Sequence, residues 1–187
     1  MRSLDQKKAT SDQEHVSITK VYAMVNDVIF GFLITQSFLE YESILVPLSF
    51  SFNLFMLVFI YAAIVLSWVG YRKSIMKKPY KGSIRFFVDL LILFIYFTLL
   101  MSVGTLSLAL WAFASMFLCY SIWDILKFSE YPEEKFSRIK ISVSGFLLSL
   151  PIAVSYSLLP NDWFLTFLEL LLVAGFWYLK LKGPKKI

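Results

Sequence analysis

Read as apolar and polar runs, the chain resolves into six apolar stretches, at about 21–39, 48–69, 86–103, 106–123, 141–159 and 163–181. Each comes near the roughly 20 residues that a helix needs to cross about 30 Å of hydrocarbon. Transmembrane strands would be about half as long and would alternate in polarity, and these runs do neither. Helices are then the form that satisfies the backbone in lipid. Only Gly104 and Thr105 separate the third run from the fourth, which predicts a tight helical hairpin turning between Met101 and Thr105. Pro151 interrupts the fifth run, a position for a kink.

Composition supports lipid as the solvent. Hydrophobic residues make up 58% of the 187, Phe alone contributes 19, and mean hydropathy is +0.70, against about 45–50% apolar residues in a soluble domain. The polar opening, with no small-residue cleavage site after the first run, argues for an uncleaved first span rather than a signal peptide. Cys119 is the only cysteine, which excludes an internal disulfide or a thiolate metal cluster. The one histidine, His15, lies in the polar tail.

Charge orients the spans. Four Lys and Arg precede the first span, and four follow the last. Six lie between the second and third (Arg72, Lys73, Lys77, Lys78, Lys81 and Arg85), and four between the fourth and fifth (Lys127, Lys135, Arg138 and Lys140). These account for all 18; the alternate connections carry only Glu40, Glu42 and Asp162. The positive-inside rule places both termini in the cytoplasm. The expected fold is therefore an all-α polytopic integral membrane protein with six transmembrane helices. It comprises a polar N-terminal tail at 1–20, too short to fold alone, a membrane domain at 21–181 and a basic C-terminus at 182–187. A prokaryotic inner membrane is the expected location. Trp68, Trp123, Trp163, Trp177, Tyr71, Tyr120 and Tyr178 fall near span ends, as interfacial belts do.

Four carboxylates lie within or near the spans: Asp27, Asp89, Asp124 and Glu169. Asp27 is about seven residues inside the first helix, roughly 10 Å deep at 1.5 Å per residue. Asp89 and Asp124 share its leaflet, and local partners are expected for both: Arg85 at i−4 for Asp89, Lys127 at i+3 for Asp124. Glu169 sits near the opposite face with no basic neighbour, so it is expected either to be protonated or to meet another subunit. On the first helix, Ala23, Asp27, Gly31 and Thr35 recur every four residues and form a narrow small-to-polar stripe. Such a stripe suits close helix packing or a water-filled path. Ser142, Gly145, Ser149 and Ala153 make a comparable, uncharged face on the fifth helix, where packing is the expected role.

Catalytic chemistry is not legible. No membrane-embedded His stands by to activate a Ser, and neither a phosphate-cradling Gly loop nor a metal-ligand cluster occurs. An enzyme, a cofactor and nucleic-acid binding are all unexpected.

The first helix resembles the opening motif of the transmembrane-protein-175 potassium-channel family: Arg, three residues, Phe-Ser-Asp, then an apolar helix containing Thr. Val25-Asn26-Asp27 stands at Phe-Ser-Asp and Thr35 at the later Thr. Val21 holds the Arg position with Lys20 beside it, and Phe32 stands where the family has its constricting Ile. The resemblance implies a tetramer with the first helix lining a pore, Phe32 at its constriction, Thr35 facing it and Asp27 in a cytoplasmic polar network.

Six thin helices are expected to leave little interior volume in one protomer, which favours an oligomer with the stripe on its axis. The leading expectation is thus an oligomeric cation channel, with Asn26, Asp27, Gly31, Phe32 and Thr35 as pore or polar-network residues. The alternative is a membrane-anchored effector subunit, for example of a bacterial stress or phage-defence system. Its basic loop Arg72–Arg85 would dock a soluble cytoplasmic protein or anionic lipid.

Overall fold

The computed structural model describes residues 2–42, 51–133, 136–159 and 163–182, with side chains from Ile18 onward. Lys135, Asp162, Lys185, Lys186, the start of the second run at 48–50 and the side chains of Arg2, Lys7, Lys8 and His15 lie outside the described residues. Among the described residues six helices follow in order: α1 Arg2–Glu40, α2 Phe52–Lys77, α3 Ser83–Met101, α4 Leu106–Glu130, α5 Ser137–Leu158 and α6 Trp163–Lys182. There is no strand among the described residues. All six contain a stretch long and apolar enough to cross a membrane, in α1 from Ile18 to Glu40.

The helix ends have local causes. The side chain of Ser51 caps α2 by accepting from the Leu54 N–H at 3.2 Å, which satisfies one of the free first-turn donors. Prolines terminate three helices. Lys78, Tyr131 and Leu159, the C-caps of α2, α4 and α5, each precede a proline and have φ of −136°, −137° and −124°. A following proline pushes its neighbour out of the helical region in this way. Helices α2 and α4 therefore run about two turns past the apolar runs that announced them. Residues 72–77 of the basic connection belong to α2, and the connection proper is only Lys78–Gly82. The hairpin turn falls where the sequence placed it: Gly104 has φ +94°, a left-handed conformation open to glycine. The polar tail, expected as an arm too short to fold alone, is the helical beginning of α1. No Gly or Pro interrupts it before Gly31.

Outward faces carry Val28, Phe87, Phe94, Leu147 and Leu158, each more than 60% exposed. A surface this apolar fits contact with lipid tails rather than water. Inside, α3, α4, α5 and α6 pack in sequence, with α4 and α5 closest. The small face of α5 performs the packing expected of it: Ser142, Gly145, Ser149 and Ala153 are all buried. Helix α2 stands off from α4, with no Cα pair within 8 Å among the described residues. Bulky side chains span the gap, Phe59 meeting Phe113 and Ser67 bonding Tyr120. Wide interaxial spacing follows from large residues at a crossing.

Candidate functional site

The two ends of the bundle differ. At one end Tyr41 donates to the Leu100 carbonyl, and the rings of Phe52 and Trp163 meet edge to face at 4.8 Å. The other end gathers the basic residues, and the polar contacts concentrate there.

The α2–α3 connection is built into the protein at that end. Arg85 is fully buried. Its guanidinium donates to Glu130 at 2.5 Å and to the Lys78 carbonyl at 2.7 Å, and lies over the Tyr80 ring at 4.5 Å. Arg suits this position because its planar fork can hold two acceptors while stacking on an aromatic face. Tyr131 donates to the Pro79 carbonyl and Lys81 to the Glu130 carbonyl, both at 2.7 Å. Lys78 pairs with Glu133, which holds that carboxyl below its ordinary pKa. The expected local pair of Arg85 with Asp89 does not form, because the guanidinium is turned to the end of α4. Nor is Arg85 available to a partner. Lys73 and Lys77 are the exposed cations of α2 here, while Arg72 is engaged by Asp27.

Asp89 instead joins a polar chain running from α1 to α3. Asn26 donates to the Tyr71 hydroxyl at 2.7 Å, the Tyr71 and Tyr80 hydroxyls are 3.1 Å apart, and Tyr80 donates to Asp89. Burial, then the Asp89 carboxylate, push the Tyr80 phenol well above its ordinary pKa, so it stays a donor. The Tyr80 amide also donates to Thr19 at 3.0 Å, which ties the connection to α1. Sequence reasoning picked Asn26 and Asp89 but missed Tyr71 and Tyr80, whose hydroxyls gave no signal among so many aromatics.

The first helix packs along one seam. Thr19, Ala23, Asn26, Phe30, Leu33 and Ser37 are buried, alternating four and three residues apart as the packed seam of a helix does. The stripe of every fourth residue therefore divides. Ala23 faces inward, Asp27 lies at the edge, and Gly31 and Thr35 are exposed with Phe32. A Cβ added at Gly31 would meet nothing within 4 Å, and Thr35 returns its hydroxyl to the Gly31 carbonyl at 2.9 Å. Asp27 is held from one face of α2: Trp68 donates to one oxygen at 2.9 Å and Arg72 to the other at 2.6 Å. Trp68 and Arg72 are spaced i, i+4, a signal that the sequence carried.

Asp124 is buried where α4, α5 and α6 converge, taking bonds from Ser142 and Lys180. Lys180, 56 positions away in the chain, was not foreseen as its partner. Glu169 is buried inside the protomer, accepting from Ser149 at 2.6 Å, so it does not reach another subunit. Trp123, Trp177 and Tyr71, expected in an interfacial belt, are also buried, whereas Trp163 and Tyr178 are exposed.

Between α2 and α4, in the gap their large side chains hold open, lies a cavity of about 520 Å³. The expectation of little interior volume was wrong, because aromatic spacers keep the two helices apart. Its basic side is formed by Lys73, Lys77, Lys78, Lys127, Arg138 and Lys180, and its depth by Phe30, Gly70, Ile92 and Leu93. Among the described residues no cluster of His, Cys, Asp or Glu is arranged to hold a metal ion.

Fold and site together define a six-helix bundle that fits a multi-pass membrane protein, with a basic polar end, an internal cavity and an outward face on α1. Comparison with protein-family models, curated proteins and solved structures finds no match for this chain.

Proposed function

We propose that this chain is the protomer of an oligomeric cation-conducting membrane protein, with α1 at the shared axis and the basic end in the cytoplasm. The outward face of α1 carries the proposal. Gly31, Phe32 and Thr35 are exposed with no neighbour in the protomer against Gly31, while Trp68 and Arg72 hold Asp27 aside. A helix anchored by one edge to α2 presents that face to a second copy or to an axial pore. Phe32 would form an apolar constriction of the kind that gates by dewetting. The protomer's own cavity is a poor cation path because cationic side chains wall it. A four-copy assembly follows the resemblance of the first helix.

The rival role, docking a soluble partner through the basic connection, keeps only part of its surface: Lys73, Lys77 and Lys81 are exposed, and the rest is engaged within the protein. Arg85 is buried, and Lys78 and Lys81 lie over the Tyr131 ring at 4.7 and 4.2 Å. The test is flux through purified protein in liposomes. Monovalent cations should pass, Phe32→Ala should change the rate at least severalfold, and Asp27→Ala should change it by loosening α1. Absence of flux across lipid compositions and voltages would overturn the proposal.

A further inference from the structure

The cavity makes a second prediction, independent of conduction. Six cationic side chains line it against two carboxylates, Asp89 and Asp124, and both carboxylates already have partners within the protein, Tyr80 for one and Ser142 with Lys180 for the other. Lys73, Lys77 and Arg138 have no carboxylate partner among the described residues. Ser74 and Trp177 line the same cavity, and each has a buried polar atom, the Ser74 hydroxyl and the Trp177 indole N–H, without a hydrogen-bond partner. The Trp123 indole N–H of the lining is likewise unpartnered, and among the described residues the one unpartnered lining acceptor besides the Ser74 hydroxyl is the Asn26 amide oxygen. Cations and indole N–H groups only donate and a hydroxyl can donate, so donors outnumber acceptors in the lining. Its deeper wall is apolar and aromatic.

A ligand that satisfies both regions brings several acceptor oxygens with negative charge at one end and an apolar group at the other. The volume, about 520 Å³, falls within the range of organic-ligand sites, about 300–1,000 Å³, and is far larger than a lone inorganic anion needs. Basic pockets between transmembrane helices take anionic headgroups by the same logic. We propose that the cavity binds a phosphate ester carrying an apolar group. The membrane can supply it as an anionic phospholipid, or the adjoining solution as a soluble phosphate ester.

The experiment uses full-length protein in neutral detergent, with native mass spectrometry and thermal shift as readouts. Its probes are phosphatidylglycerol, phosphatidylcholine and octyl phosphate. Retention of phosphatidylglycerol over phosphatidylcholine, with displacement by octyl phosphate, supports the proposal with lipid as the source. Binding of octyl phosphate without phosphatidylglycerol supports it with a soluble ester as the source. The double variant Lys77→Gln/Arg138→Gln should weaken binding roughly twenty-five-fold, at about fivefold per basic residue near an anionic group. Lys182→Gln, at the same end but outside the cavity lining, should leave it nearly unchanged.

Gly70→Leu separates the interior from the basic surface. It changes no charge, and the Gly70 position lies on the cavity wall with the Trp177 ring 3.9 Å from where a Cβ would stand. Loss of binding in a folded Gly70→Leu protein supports the interior site. Retained binding there, indifference to the Lys77→Gln/Arg138→Gln pair, equal retention of phosphatidylcholine, or no binding by either phosphate probe would each overturn it. Should Gly70→Leu fail to fold, the charge pair against Lys182→Gln still decides.

Discussion

Substituting Gly145 by Ala should open the tightest seam of the bundle. A Cβ at Gly145 would stand 2.7 Å and 2.9 Å from two ring carbons of Phe117 and 3.2 Å from a third, where ordinary contact begins at 3.4 Å. The ring must retreat by about 0.7 Å from the nearest atom, the difference between 3.4 and 2.7 Å. Phe117 has little room to move. It is fully buried and meets the Phe176 ring edge to face at 4.9 Å. Forcing a methyl into such a core costs about 1–3 kcal/mol. Replacing glycine within a helix returns about 0.8–1 kcal/mol of propensity, which partly masks the clash. Gly175→Ala provides the correction: it is also mid-helix, with nothing within 4 Å of the new methyl. The propensity gain is common to both, so their stability difference isolates the overpacking at about 1–3 kcal/mol. Reversible unfolding in mixed micelles, followed by tryptophan fluorescence, measures it. A difference below about 0.5 kcal/mol, the ordinary scatter of surface substitutions, would refute the close α4–α5 packing described above.

Further tests bear on the buried charges. Arg85→Ala leaves the Glu130 carboxylate and the Lys78 carbonyl without their donor, and should destabilise by about 3–5 kcal/mol in the same assay. Arg85→Lys should recover only part, since an ammonium cannot reproduce the two-armed fork. Asp124→Leu alone should cost a similar about 3–5 kcal/mol by stranding Lys180, whereas Asp124→Leu with Lys180→Met should regain most of it. Equal instability of the single and double variants would contradict the pairing.

The six long apolar helices were legible because the signal for them is one-dimensional. Twenty-residue apolar runs announce spans, and the hairpin glycine at 104 had to turn because the run around it was too long for one crossing. Helix ends were less legible, since hydropathy marks where lipid stops and not where the helix does. The prolines at 79, 132 and 160 were the better guide. Partner choice was least legible. Arg85 and Asp89 have the spacing of a helical pair, yet the guanidinium finds the end of α4 and a tyrosine ring, and Asp89 finds Tyr80. Local spacing says which residues share a face, not which helix lies against it. The stripe on α1 divides for a related reason. A four-residue stripe drifts around a helix of 3.6 residues per turn, so Ala23 and Thr35 lie on different sides. The cavity left no trace in sequence because it depends on the standoff between α2 and α4.

The account rests most heavily on the outward face of α1 meeting copies of itself. Cysteine cross-linking in native membranes tests this directly, in a Cys119→Ser background that removes the one native thiol, itself buried. Phe32→Cys should form covalent dimers with a short bifunctional reagent, whereas Leu147→Cys, comparably exposed on α5, should not. Cross-linking at Leu147 with none at Phe32, or none at either position, would contradict the assembly around α1.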